Sequence, residues 1–357
     1  DVSGSMNSPD KLPLLMRGLG MLVDTLRPQD KVSIVVYAGA SGVVLEPTSD
    51  KAEILAALDR LEAGGSTNGG AGIELAYRLA EQTFVQGGIN RVILATDGDF
   101  NVGTTGQGAL EELITQKRAS GVFLSVLGFG DGNLEDSTME LLADKGNGNY
   151  AYIDSIAEAR KVLVTEAGAT LVTIAKDVKI QVEMNPKEVA AFRLIGYENR
   201  ALAHTDFNDD SKDAGEIGAG HSVTALYEVI PVGAKDAPAA KIDALEYQKV
   251  GATTGTVGEL MNVKIRYKQP DGEESKLLAF AIDDADRTVD AASESFRFSA
   301  AVAEWGMLLR DSKHKGASTW AGAIELAEHA IGKDDGGYRK ELVELMRRAQ
   351  ALSERKG

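Results

Sequence analysis

Cysteine is absent from the 357-residue sequence, which excludes disulfides, thiolate metal sites and cysteine nucleophiles and leaves the redox compartment open. Positive charge is in short supply. Against 54 Asp and Glu stand 38 Lys and Arg, and the formal net charge of -16 repels phosphate backbones and anionic lipid surfaces, so no nucleic-acid partner is expected. No run of about 18 apolar residues occurs, so no membrane-spanning helix is expected. Histidine is scarce too: His204, His221, His314 and His329 are scattered, form no H-E-x-x-H spacing and read as surface or capping residues, not zinc ligands. Neither a Walker loop nor a G-x-S-x-G elbow is present, which removes the main support for P-loop and serine-hydrolase chemistry. The run Gly128-Phe129-Gly130-Asp131-Gly132 copies part of a dinucleotide fingerprint with its last glycine misplaced, so no nucleotide is expected.

What remains is an ordinary globular composition, 43% hydrophobic and 26% charged, on a chain long enough for two or three domains. Up to about residue 167, short β-type runs alternate with helix-type patterns, the signature of an α/β fold with a mostly parallel sheet covered by helices on both faces. Helices are expected over 11–26, 51–61, 71–84, 110–119, 134–145 and 156–165. The runs at 31–37, 43–45, 91–95, 122–129 and 150–153 read as strands. From 168 to about 290 the pattern changes to longer alternating runs without helices between them, at 178–184, 192–197, 222–230, 260–267 and 276–282, which suggests an antiparallel β-sandwich. Residues 291–357 return to helical spacing, at 296–309, 320–330 and 338–352, as a short C-terminal helical region.

Three separated segments carry oxygen ligands. Asp1-Val2-Ser3-Gly4-Ser5 precedes the first helix, Gly64-Gly65-Ser66-Thr67-Asn68 enters another, and Thr96-Asp97-Gly98-Asp99 ends a strand. In an open α/β sheet such segments meet outside the carboxyl ends of the strands, where ligands bind. Ser, Thr and Asp also favour helix starts, which explains each segment separately but not their convergence.

On these residues the chain resembles the von Willebrand factor A domains. Asp1, Ser3 and Ser5 match the family's Asp-x-Ser-x-Ser motif, Thr67 its second-loop threonine and Asp97 its strand-end aspartate, together the metal-ion-dependent adhesion site. The resemblance implies a Rossmann-like fold holding Mg²⁺, or Mn²⁺ or Ca²⁺, on these five residues. One coordination position is left for an Asp or Glu of a protein partner, so the implied role is binding, not catalysis. The donor types suit that role. Magnesium takes about six oxygens at roughly 2.0–2.1 Å and keeps several waters. Neutral hydroxyls leave much of its charge for an incoming carboxylate, which then makes a charge-assisted contact. Further on, 191–200, 206–210, 218–228 and 298–310 resemble the C-terminal region of bacterial von Willebrand A proteins of the YfbK type. That resemblance implies an extracytoplasmic place at the bacterial cell envelope, with a membrane tie only through an N-terminal anchor upstream of Asp1. In these domains a hydrophobic strand also runs directly into Asp-x-Ser-x-Ser, and such a strand is expected upstream of the first residue here.

Weaker signals stand beside this one. Asp206, Asn208 and Asp210 begin a D-x-N-x-D calcium pattern, but Ser211 replaces the turn glycine and Ile217 stands where the closing Glu belongs, so an acidic surface loop is the expectation. Asp99 is a candidate to hold a metal-bound water or simply to stabilise its turn. Two other function classes are open: a substrate-recruiting companion of an AAA-type ATPase, and metal-assisted hydrolysis. The second is disfavoured because Ser3 occupies the position where haloacid-dehalogenase-type phosphatases place their acid.

Overall fold

The computed structural model describes residues 1–66, 69–98, 107–131, 136–168, 172–197, 201–212, 214–234, 255–285 and 287–355. They divide into two compact units, one of residues 1–181, 203–222 and 265–278, the other of 182–202, 223–264 and 279–357.

In the first unit, α1 (Leu12–Thr25) starts with Pro13 in its first turn, where a missing N–H costs nothing. It buries Leu12, Leu14, Leu15 and Val23. Strands β1 (Val32–Tyr37) and β2 (Ser41–Thr48) pair antiparallel. Helix α2 (Lys51–Leu58) is capped by the Asp50 carboxylate, which accepts from the backbone N–H groups of Ala52 and Glu53. Then follow α3 (Gly69–Gln82), β3 (Arg91–Thr96), α4 (Gln107–Arg118), β4 (Phe123–Phe129), α5 (Asp136–Lys145), β5 (Tyr150–Ile153) and α6 (Ile156–Arg160). Strands β3, β4 and β5 form a parallel sheet in that order, with Arg91 opposite Phe123 and Val126 opposite Tyr150.

Strand β4 explains why both faces of this sheet are covered. Its residues are buried almost without a break, as a central parallel strand requires. Alternation sends Leu124 and Val126 into a cluster with Tyr37, Ile73, Tyr77 and Ile114, and Leu127 and Phe129 into another with Met6, Leu12, Leu15 and Leu163. Between the ends of β1 and β3 runs the Asp1–Val2 backbone. The Asp1 nitrogen donates to the Ala95 carbonyl at 2.9 Å, and the Val2 N–H to the Tyr37 carbonyl at 3.0 Å. The start of the motif is thus fastened to the carboxyl ends of two strands that belong to separate sheets.

The expected helices and strands of this region are all present, with two differences. The hairpin partner expected at 43–45 is the eight-residue β2, because pairing with β1 extends strand geometry beyond the apolar core of the run. The helix expected over 156–165 changes after Arg160 into a π-helical turn, Lys161–Thr165, with Val162 and Leu163 buried.

Beyond residue 168 lie β6 (Thr173–Met184), β7 (Val189–Ile195), β8 (Gly215–Gly218), β9 (Leu226–Pro231), β10 (Glu259–Lys268) and β11 (Ser275–Asp283). They form a four-stranded sheet of order β11-β10-β6-β8 and an antiparallel pair β7-β9. Strand β8 was not expected, since a four-residue run with glycine at both ends carries no readable alternation. The second unit ends in α7 (Glu294–Leu309), α8 (Trp320–Glu328) and α9 (Tyr338–Glu354), capped at α7 and α8 by Ser293 and Thr319. Their core is Ala301, Ala323, Ile324, Ala327, Val343 and Met346, with Phe298, Trp305 and Leu308 packed against it. Among the described residues no helix is long and apolar enough to cross a membrane.

Leu124 has no exposed surface and sits in the middle of the parallel sheet. Leu124→Ala is expected to lower the free energy of unfolding by about 2–5 kcal/mol, read as a lower urea midpoint.

Candidate metal centre

The site is built at the carboxyl end of β3. Asp97 follows the last residue of that strand and is fully buried. Thr96, also fully buried, turns its hydroxyl to the Asp1 carboxylate and donates to Oδ2 at 2.9 Å. The other Asp1 oxygen, Oδ1, accepts from the Ser3 backbone N–H at 2.8 Å. Asp1 therefore has both oxygens held by protein donors. The Ser3 and Ser5 hydroxyl oxygens lie 3.0 Å apart, and Ser3 is buried.

The second loop is drawn against the first by backbone alone. Gly4 N–H donates to Gly65 C=O at 3.0 Å and Gly64 N–H to Val2 C=O at 2.8 Å. Gly65 has φ +83°, a conformation that side-chain-bearing residues rarely adopt. Thr67, next along this loop, lies outside the described residues, as does Asp99.

Of the five expected site residues, then, Asp1, Ser3, Ser5 and Asp97 are brought to one sheet edge. The helix-cap explanation fails for Ser3. A short 3₁₀ turn, Gly4–Asn7, follows Ser3, but Ser3 makes no side-chain cap hydrogen bond. Its hydroxyl is turned instead to that of Ser5.

The electrostatics centre on Asp97. A carboxylate without access to water needs a positive partner, and here Lys11 Nζ lies 2.9 Å from Asp97 Oδ2. Tyr37, beneath it, has its phenol pushed well above the ordinary range by burial; a hydrogen bond with Thr96 opposes this and the Asp97 charge adds to it. Two carboxylates and two hydroxyls make a hard, all-oxygen donor set of low total charge, which fits a cation that keeps part of its water. Among the described residues no group of three or more His, Cys, Asp or Glu is placed to hold a metal ion.

Thr96 was read within the oxygen-bearing segment 96–99 without a role of its own, although strand alternation places it inward; Lys11 escaped the sequence reading. Lys11 read as the first residue of a helix, and nothing in its spacing points to Asp97, 86 positions away.

The weaker signals resolve differently. In the 204–210 loop, Phe207 is buried and three backbone carbonyls are taken by lysines. Lys179 Nζ donates to the carbonyls of Asp206 and Asp209 at 3.2 and 2.5 Å, and Lys268 Nζ to that of Asp210 at 2.7 Å. Asn208 Oδ1 accepts from Arg266 at 3.0 Å. The loop is acidic and lies at the surface, as expected, with its backbone tied down by the two lysines. Gly130, with φ +77°, gives room to the Lys11 stem, which a Cβ there would meet at 2.2 Å; Gly132 lies outside the described residues. All four histidines are exposed.

Residues 1–99 match the von Willebrand factor type A domain family, the class that this fold and site define. Residues 169–352 match the family described as "Uncharacterized protein YfbK, C-terminal", and the chain belongs to the von Willebrand A proteins of the YfbK type. It is 46% identical to the Escherichia coli (strain K12) protein described as "Uncharacterized protein YfbK", over 99% of this chain and 61% of that protein. A UPF0353 protein of Mycobacterium ulcerans is 27% identical over 46% of this chain and 57% of its own length. The chain thus spans about three-fifths of the length of these curated relatives. A solved von Willebrand factor type A structure from Catenulispora acidiphila is 18% identical, with a TM-score of 0.50 over 97% of this chain and 80% of that one, a likeness of fold.

Thr96→Val keeps the shape of the side chain but leaves Asp1 Oδ2 without its buried donor. It is expected to cost about 1–3 kcal/mol of stability, measured by urea denaturation against wild type.

Proposed function

We propose that this chain is a divalent-cation-dependent protein-binding module, not an enzyme, and that Asp1, Ser3, Ser5, Thr67 and Asp97 hold the ion. The observation that carries the reading is the gathering of Asp1, Ser3 and Ser5 with the buried Asp97 at one strand end, joined to a loop pinned by Gly64 and Gly65 just ahead of Thr67. Mg²⁺ is the ion that this oxygen set suits, with Mn²⁺ and Ca²⁺ as substitutes.

The chain's own groups divide the work. Asp97 supplies the buried negative charge that favours a cation. Asp1, held by Thr96 and the Ser3 N–H, is fixed in orientation and suited to bind through water. The serine hydroxyls offer neutral oxygen, so the ion keeps enough charge to attract a carboxylate from a protein partner. In this reading residues 1–167 form the cation-binding head, with the β-rich region 168–290 and the helical region 291–357 appended to it. Location at the bacterial cell envelope is part of the proposal and rests on the resemblance to the YfbK type.

Titration of Mg²⁺ into the chain is expected to give saturable binding of one ion, weakened at least about tenfold by Asp97→Ala or Ser3→Ala, the scale on which loss of supporting groups acts at metal sites. A glutamate-bearing peptide bound in Mg²⁺ is expected to be released by chelator. Peptide retention that ignores the chelator, or ion binding indifferent to Asp97→Ala, overturns the reading.

A further inference from the structure

We propose that Lys11 is a built-in counter-cation of Asp97 which competes with the divalent ion, setting the site's affinity and keeping the metal-free module folded. This inference rests on the reading of Asp97 as a metal ligand given above.

The geometry points to Lys11 in three ways. Its ammonium lies 2.9 Å from Asp97 Oδ2, with 12% of the lysine side chain and none of the aspartate side chain exposed, so the pair is made where water screens little. The stem is guided there: it crosses Gly130, where a Cβ would stand 2.2 Å from Lys11 Cε and 3.1 Å from Cδ and Cγ. Its backbone is fixed as well, since Lys11 N–H donates to Ser8 C=O at 3.0 Å and its carbonyl accepts from Leu15 N–H at 2.8 Å. Lys11 thereby sits directly before α1, on the segment that also carries Ser3 and Ser5.

The two carboxylates of the centre are treated unequally. Asp1 has its oxygens held by the Ser3 N–H and the Thr96 hydroxyl, neutral donors that carry no charge to repel a cation. Asp97 is matched by a full positive charge on a side chain with a way out to solvent. An ion that binds Asp97 must either displace that ammonium or tolerate a like charge a few ångströms away. Both lower its affinity. The same pair offsets the cost of burying Asp97 when no ion is bound.

The test compares the whole chain with Lys11→Met, which keeps the stem and removes the charge, and with Lys11→Arg, which keeps the charge. Titration with MgCl₂ alone is expected to give binding tightened at least about tenfold in Lys11→Met, a floor well under the roughly thousandfold that two unit charges about 4 Å apart exert at an effective dielectric of about 20, and near wild type in Lys11→Arg. Thermal unfolding in chelator is expected to show Lys11→Met melting below wild type, with most of the loss recovered in Mg²⁺. Circular dichroism in Mg²⁺ checks that the variant is folded, and Lys11→Gln serves in its place if it is not. Wild-type binding of Mg²⁺ that neither neutral variant tightens overturns the role of Lys11 alone. Absence of Mg²⁺ binding to wild type and variants alike overturns the metal reading, and the Lys11 proposal with it.

Discussion

A carboxylate shut away from water must be answered by positive charge or by donors, and the loop edge of the parallel sheet is organised around that demand at Asp97. The strand that ends beside it puts Thr96 inward, where its hydroxyl fixes Asp1. Asp1 in turn orients the Ser3 backbone, and the adjoining Gly4 and Val2 hold the loop at Gly64 and Gly65. Each contact is short-ranged, yet together they join three stretches of sequence that lie dozens of residues apart. Hydrogen bonds to groups buried in this way are costly to leave unmade, so the arrangement specifies the edge as well as stabilising it.

Much of this was legible in the residues themselves. The parallel sheet announced itself through apolar runs such as 122–129, where burial on both faces leaves no polar alternation, and through the helical spacing between such runs. The site was legible because its motif is made of short polar residues flanked by glycine, at places where an α/β topology forces loops together. Asp1, Ser3, Ser5 and Asp97 are found where that topology puts them. Thr67 and Asp99 fall outside the described residues.

What sequence could not provide were partners without a local pattern. Lys11 meets Asp97 only because α1 starts beside the end of β3 and because Gly130 leaves room for a lysine stem. Neither condition is written in the spacing of Lys11 and Asp97. The π turn after Arg160 escaped for a similar reason: its residues keep a helical apolar pattern, and the change of hydrogen bonding appears only on packing. Strand β8 owes its existence to the neighbouring β6, with which it pairs from Thr173 opposite Gly218 to Val178 opposite Gly215, not to any propensity of its own residues.

The loop at 204–210 puts the same electrostatic problem to a different solution. Its carbonyl oxygens are answered by Lys179 and Lys268, which reach them from neighbouring strands. A fastening made of the chain's own ammonium groups cannot be washed out or exchanged. Because both lysines stand on strands, the corner takes its shape from the sheet beside it.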